Sequence, residues 1–487
     1  MQGEDKNFWC LLGIFLVAAL PLFTNYCLNS SEVPYQLVRI EELKNHLNDG
    51  IFQIAMPVNW QYEHGTAGLD GNLFWVLPAI LRKLGLPIEE VYRTFLVCIC
   101  AATVGVSYTA FREIFHDNKL GSFGSMLYCW TPWYLDTLYG RAAIGEALGY
   151  AFLPLVLLFT ADRSEKGNKK IPQWLLLTVG ITLLLQASFA VFLIGMFLLA
   201  FACMYERKRM LDRKGILTLA KAAAATLIVN LWYLLPLARY LIAYRDVVKF
   251  VGSRPFQEKG AFLLHYLMIF SQPGATYDYR EKGFHDSAAV GIGPAIMALL
   301  FLFLWLEFSG QLRMDNLKKQ KYGMSKGLFA LGVVGMVLSL GSFPWDLLRS
   351  NAVFQVLTFS MQSPVIFMLL AICGYVLLGC YLILFYQQNK SSAAAVLKVS
   401  VAAAAFVSAQ YLVNGLLLNR APLWVRESED LADVVLIEAP QLQLGAASGK
   451  IEWSAVVLSA CSLLAILGYY MIDRSKKQKN DIRKGAR

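Results

Sequence analysis

Two short stretches hold the residues best suited to chemistry. The first, SEVPYQLVRIEEL (31–43), places Glu32, Gln36 and Arg39 within two helical turns. The second, YGRAAIGEALGYAFLPL (139–155), opens with Tyr139 and sets Arg141 five residues before Glu146. A carboxylate within reach of an acceptor hydroxyl can act as a general base. A guanidinium matches phosphate geometry and can hold a phosphate or offset charge on a departing one. Arg141 is the main candidate for that role and Arg39 a weaker one. Each stretch also has a plainer reading. Glu32 can be a carboxylate favoured by a helix N-terminus. Arg141 and Glu146 can be an ion-pair clamp between membrane spans, since charges at a membrane boundary are costly unless paired, solvated or used.

Other constellations say less. His64 with Glu63 and Asp70, and His285 with Asp286, would be the ligands of any metal site built around Glu32. No i, i+4 ligand pair supports one, so they read as loop polar residues. No metal and no cofactor are expected, although the chemistry does not exclude a divalent ion. TPWYLDTLYGR (131–141) reads as an interfacial aromatic belt, with sugar stacking by Trp133 or Tyr139 as the alternative. Ser253–Arg254 and the run 277–280 lie in a later loop, and their spacing does not single them out. No Walker A loop, Rossmann glycine fingerprint or GxSxG turn is present, so nucleotide-driven transport is not built into this chain.

The elements that position these residues belong to a membrane. The chain has 487 residues, 57% hydrophobic and only 16% charged, with mean hydropathy +0.49. Soluble chains carry about 25% charged residues. Apolar runs of about 18 residues recur from end to end, each long enough to span as a helix. The net charge of +10 is topological and does not mark a nucleic-acid partner: the basic residues cluster in alternate loops. The nine cysteines lie mostly inside apolar runs without CxxC spacing, which argues against disulfides or zinc.

The expected architecture is all-α, a polytopic bundle of about twelve spans: 8–28, 90–114, 118–136, 145–161, 172–187, 189–206, 216–243, 288–307, 327–341, 361–386, 393–418 and 454–472. Residues 8–28 read as an uncleaved signal anchor. The positive-inside rule puts the clusters at 163–170, 207–214 and 318–321 in the cytoplasm, with both termini. Residues 1–472 form one integral membrane domain. Its external loops are 29–89, 244–286 and 419–452, and 473–487 is a basic cytoplasmic tail, topogenic or in contact with anionic lipid. Membrane lipids are therefore the first partners. The segment 70–87 is apolar over about 14 residues, too short to cross comfortably, and is expected to be interfacial or re-entrant. Within the first loop, Tyr35, Leu37, Ile40, Leu43 and Leu47 fall mainly on one helical face, between Pro34 and a stop at Gly50. This predicts an amphipathic helix along the outer surface.

The two chemical stretches also carry a resemblance. SEVPYQLVRIEEL resembles the first-loop pattern HDxxFHLxRIxEL of the bacterial PTPS-related (6-pyruvoyl-tetrahydropterin-synthase-related) membrane family, of the GT-C glycosyltransferase superfamily. Glu32 falls on the family Asp and Gln36 on a His, while Leu37, Arg39 and Ile40 match. YGRAAIGEALGYAFLPLVLL is similar to the family's YxRaAlGExxAxxFlPLvll, its most specific part. SFPWDLL (342–348) and MQSPVIF (361–367) resemble two later patches, FPW and QFPWRF. The likeness runs from about residue 8 to 390.

The resemblance implies a GT-C-like bundle whose first external loop folds onto the membrane helices. It implies transfer of a sugar from a polyprenyl-phosphate-linked donor to an envelope glycan, lipid or protein acceptor. The transfer would take place on the outer face of a bacterial plasma membrane. Glu32 would be base, Arg141 would hold the donor phosphate, and Glu146 would orient Arg141. The departures matter. The family His residues become Ser31, Gln36 and Gln186, and the Arg of QFPWRF becomes Ile366. Loss of several polar groups together points to an altered substrate, no metal, or lost catalysis. A silent relative that scaffolds a partner, or a transporter in polysaccharide export, is the alternative. Charge concentrated at outer mouths favours an interfacial enzyme over a transporter, which needs buried charge, broken helices and internal symmetry.

Overall fold

A computed structural model describes residues 2–24, 33–48, 70–160, 172–205, 207–243, 245, 249, 252–253, 256–267, 291–314, 319–361, 363–389, 391–418, 456–466 and 468. Within these, every extended element is helical, and the one β feature is an isolated bridge between Ala261 and Leu340. The first helices are α1 (Gln2–Ala19), α2 (Val33–Asn48), α3 (Val76–Lys83), α4 (Ile88–Phe115), α5 (Asn118–Cys129) and α6 (Pro132–Leu135). Then come α7 (Ile144–Thr160), α8 (Gln173–Ala187), α9 (Phe189–Tyr205), α10 (Arg207–Met210), α11 (Arg213–Val229) and α12 (Leu231–Ala243). The last are α13 (Pro294–Phe308), α14 (Gln311–Met314), α15 (Lys319–Ser339), α16 (Ala352–Met361), α17 (Met368–Asn389) and α18 (Ser391–Leu418).

The surface identifies the solvent. Phe308, Ile242, Val399 and Phe301 stand exposed on the flanks of apolar helices, which is a surface for lipid and not for water. Three described helices are long and apolar enough to cross a bilayer: Ile88–Phe115, Pro364–Asn389 and Ala393–Gln410. The second is buried along almost its whole length and forms the bundle axis, packed against α15 and α5. The other apolar helices have 10–17 residues, fewer than the roughly 20 that a straight crossing needs. The expected polytopic helical bundle is therefore built, among the described residues, from long spans, a bent pair and shorter apolar helices together. Long and short apolar helices are mixed.

Two expected spans are broken. Residues 216–243 read as one helix, but α11 and α12 meet at 71°. Asn230 sits at the break and donates through Nδ2 to the Thr226 carbonyl at 2.8 Å and to the Thr182 hydroxyl at 2.9 Å. An amide that bonds the backbone four residues back competes with helix propagation. Residues 118–136 also divide. α5, capped by the Asp117 carboxylate on the Lys119 and Leu120 amides, ends at Cys129, and a π turn follows at Asp136–Gly140. In the 70–87 segment the α-helix is only Val76–Lys83, about 12 Å long, and Gly85 (φ 93°) follows it.

The first-loop helix forms where the periodicity places it, but its polar face is not turned to solvent. Gln36, Arg39 and Glu41 are 4%, 5% and 7% exposed. Leu37, Val38, Ile40 and Leu43, which stand around the helix between and beside them, are buried too. α2 is thus inserted into protein on both faces. The surface-lying helix is replaced by a buried one whose polar groups must find protein partners.

Candidate functional site

Those partners define a polar corner, where α7 begins, α8 ends and α9 begins. On α2, Arg39 donates from Nε to Asn72 Oδ1 at 2.9 Å and from one terminal nitrogen to the carbonyls of Asp70 (3.3 Å) and Gly71 (3.2 Å). Its guanidinium lies 4.6 Å from the centre of the Trp75 ring. Arg39 therefore grips the Asp70–Asn72 turn. One turn earlier, Gln36 donates to the Ala142 carbonyl at 3.1 Å, and its own Oε1 is buried without a hydrogen-bond partner. Further along, Glu41 pairs with Arg82 of α3 and with Lys44 at 2.7 Å, and Lys83 donates to the Leu47 carbonyl.

The turn itself is anchored on its far side. Asp70 Oδ1 accepts from the Phe189 amide at 3.1 Å, the first N–H of α9. A methyl group added at Gly145 would stand 2.8 Å from Asp70 Oδ2, so this carboxyl abuts the start of α7. Enclosure pushes the Asp70 carboxyl up to about 6, with a further small rise from Glu146, against lowering by Arg39, the Phe189 amide and Ser188. Gly71 passes so close to the end of α8 that a side chain would meet the Gln186 carbonyl at 2.9 Å. Gln186, fully buried, donates to Asn230 Oδ1 at 3.0 Å, and its Oε1 has no hydrogen-bond partner.

The third wall is Arg141. The π turn returns its chain through Arg141 N–H to the Asp136 carbonyl (2.8 Å) and Ala143 N–H to the Thr137 carbonyl (3.0 Å). Ala142 is then forced to φ 58°, a left-handed conformation unusual for a residue with a side chain and one that stores local strain. Its carbonyl is the one Gln36 reaches. The Arg141 guanidinium lies 2.9 Å from Glu146 and 3.8 Å from Asp136, donates to the Thr137 hydroxyl, and covers the Trp133 ring at 5.3 Å. Arg141 and Glu146 keep 13% and 23% of their surface, and Asp136 keeps 1%.

Gln36, Arg39, Arg141, Glu146 and Gln186 are thus brought together from α2, the α7 entry and the end of α8. Tyr139 is not with them. Its hydroxyl donates to the Ala18 carbonyl at 2.8 Å and its ring is 1% exposed. It packs between α1 and α4, where no sugar could stack on it, and Trp133 is equally enclosed. Glu32 lies outside the described residues, as do Ser31, Glu63, His64, His285 and Asp286. Among the described residues, no group of three or more His, Cys, Asp or Glu side chains could hold a metal.

Asp136, Asn72 and Asn230 are missed by sequence reasoning, and Asp70 enters it only as a metal ligand. Asp-Gly-Asn is a turn signal that could have marked the 70–72 docking point. Asp136 stands five residues before Arg141 as Glu146 stands five after, a symmetry visible without a structure.

No family model matches the chain, and no curated protein sequence matches it. Among solved structures it is similar to the cryo-EM structure of the arabinofuranosyltransferase AftD from Mycobacteria, at 16% identity and a TM-score of 0.44. That match covers 86% of this chain and 27% of the other, so the chain spans about a quarter of that protein's length.

Proposed function

We propose that this integral membrane protein is a GT-C-type glycosyltransferase, a divergent relative of the PTPS-related family. In this reading it moves a sugar from a polyprenyl-phosphate-linked donor to an envelope acceptor on the external face. The observation that carries the reading is the convergence in one polar corner of both stretches that resemble the family. α2 starts one residue after Glu32, and Gln36, one turn on, is bonded to the carbonyl of Ala142, next to Arg141. Glu32 is the base that takes the acceptor proton as the hydroxyl attacks the anomeric carbon. Arg141 offsets charge on the polyprenyl phosphate as the sugar–phosphate bond breaks, and Glu146 fixes the guanidinium.

One observation favours a second reading, a catalytically silent relative that binds a partner. Arg141 lies between two carboxylates, Asp136 and Glu146, which neutralise the charge a phosphate needs. A single experiment separates the two. Wild type, Glu32→Gln and a deletion strain are compared at matched protein levels, following lipid-linked sugars in host membranes by mass spectrometry. Depletion of one species by wild type and not by Glu32→Gln is expected. No difference between wild type and the deletion would turn the reading to the silent relative. Equal depletion by both variants would remove Glu32 as base.

A further inference from the structure

We propose that Asp70 is a positioning residue: by capping α9 across the chain, it latches the Asp70–Asn72 turn, and α2 with it, onto the corner formed by α7, α8 and α9. The latch is a property of the fold; only its consequence for sugar transfer rests on the transferase reading.

Each residue of the turn makes a different attachment. α9 starts one residue after α8 ends, at an extended Ser188, and the first N–H groups of any helix lack partners within it. Asp70 supplies one from more than a hundred residues away, through Oδ1 to the Phe189 amide. Gly71 allows the close approach to Gln186. Asn72 offers Oδ1 to Arg39. Since Arg39 also holds the carbonyls of Asp70 and Gly71, α2 is tied to the turn and the turn to α9. Gln36 adds a second tie, from α2 to Ala142. Removal of the Asp70 cap cuts the tie from the turn to α9, so that Arg39 no longer links α2 to that helix, while Gln36 still holds Ala142 and Glu41 still holds Arg82.

The latch is proton-linked. The charged and titratable groups facing Asp70 are Arg39 from α2, Glu146 from α7 and Tyr233 from α12, with the Ser188 hydroxyl between α8 and α9. A carboxyl raised from 3.8 to about 6 prefers to be neutral when docked. Docking is therefore strongest below about pH 4, weakens as pH rises to about 6, and changes little above that. A rise of roughly two units corresponds to about a 100-fold change in the docking equilibrium.

The test is hydrogen exchange by mass spectrometry on the full chain in lipid nanodiscs, corrected for intrinsic rates, at pH 4.5 and 7.5. Wild type should exchange faster in 70–76 and in the first turn of α9 at pH 7.5, by about 25-fold, since pH 4.5 lies above 3.8 and part of the full change has already occurred there. Asp70→Asn, whose amide oxygen still accepts from Phe189, should be equally protected at both values. Asp70→Ala should exchange fast at both, with α4 and α17 unchanged as a control on folding. Wild-type-like protection in Asp70→Ala would overturn the latch, as would a pH response that survives in Asp70→Asn. Lipid-linked sugar depletion is followed in parallel, with loss in Asp70→Ala and rescue in Asp70→Asn expected. If exchange behaves as described and no variant, wild type included, depletes a lipid-linked sugar, the latch stands and the transferase reading fails.

Discussion

Two buried polar regions lie close together and are built on opposite principles. The first is the tyrosine stack between α5, α6 and α7. Tyr128 and Tyr150 stack at 3.9 Å, and each hydroxyl donates to the other's carbonyl at 2.8 Å. Tyr134 shares a hydrogen bond with the Thr103 hydroxyl at 2.9 Å. The second is the corner around α2, where Gln36 and Gln186 each donate and each keep a buried oxygen unpaired. The corner also encloses a carboxyl raised to about 6 and a strained Ala142. A closed network rigidifies a core and requires nothing further. A network with unpaired acceptors costs stability at each one, and such costs concentrate where a protein has a task other than folding. Under the proposed function the tyrosine stack is scaffold and the corner is the candidate site.

The most destructive break in that contrast is Arg141→Ala. It leaves Asp136, 1% exposed, facing Glu146 with no cation between them. Removal of one partner from a buried ion pair costs about 3–5 kcal/mol, and the partial exposure of Arg141 places the expected loss near the lower end. Thermal unfolding in detergent should register it, together with loss of sugar transfer. If Arg141→Ala unfolds like wild type, the cluster is not holding the α7 entry, and the distinction between scaffold and site blurs there.

Tyr128→Phe comes next. It removes one of the two reciprocal bonds and strands the Tyr150 carbonyl, at a cost of about 1–2 kcal/mol. The melting temperature should fall while transfer by the folded fraction stays at the wild-type level. A selective loss of transfer would move the tyrosine stack into the site.

The same contrast marks how far the sequence could be read. The Arg141–Glu146 pair, the α2 helix and the short 76–83 helix were legible, because charge spacing, apolar period and run length are local properties. The burial of α2 was not. Its polar face reads as solvent-facing until Arg39 is seen to meet Asn72 and Glu41 to meet Arg82, both more than thirty residues away. The bend at Asn230 was invisible for a related reason. Hydropathy averages over 216–243 and cannot register one amide competing for the Thr226 carbonyl. Tyr139 misled because proximity in sequence to Arg141 says nothing of side-chain direction. The π turn sends the ring toward α1 and the guanidinium toward Glu146.

The change with the least effect on stability sharpens the comparison most. Gln36→Met removes a bond to the Ala142 carbonyl, worth about 1 kcal/mol, and leaves that oxygen to its remaining acceptance from Ile144 N–H at 2.9 Å. It also removes an unpaired buried oxygen, whose burial costs about 1–3 kcal/mol. The two nearly offset, and the shape of the side chain is kept. Unfolding should therefore shift by no more than about 1 kcal/mol in either direction. Transfer should nevertheless fall by at least about tenfold, the effect of about 1.4 kcal/mol on a barrier. The unpaired oxygen is then available to the reaction and not to the fold. A matched measurement of melting and of lipid-linked sugar depletion decides the point. Unchanged transfer in a stable Gln36→Met protein would mean that the unpaired acceptor is only a packing defect, and the corner would lose its difference from the tyrosine stack at that residue.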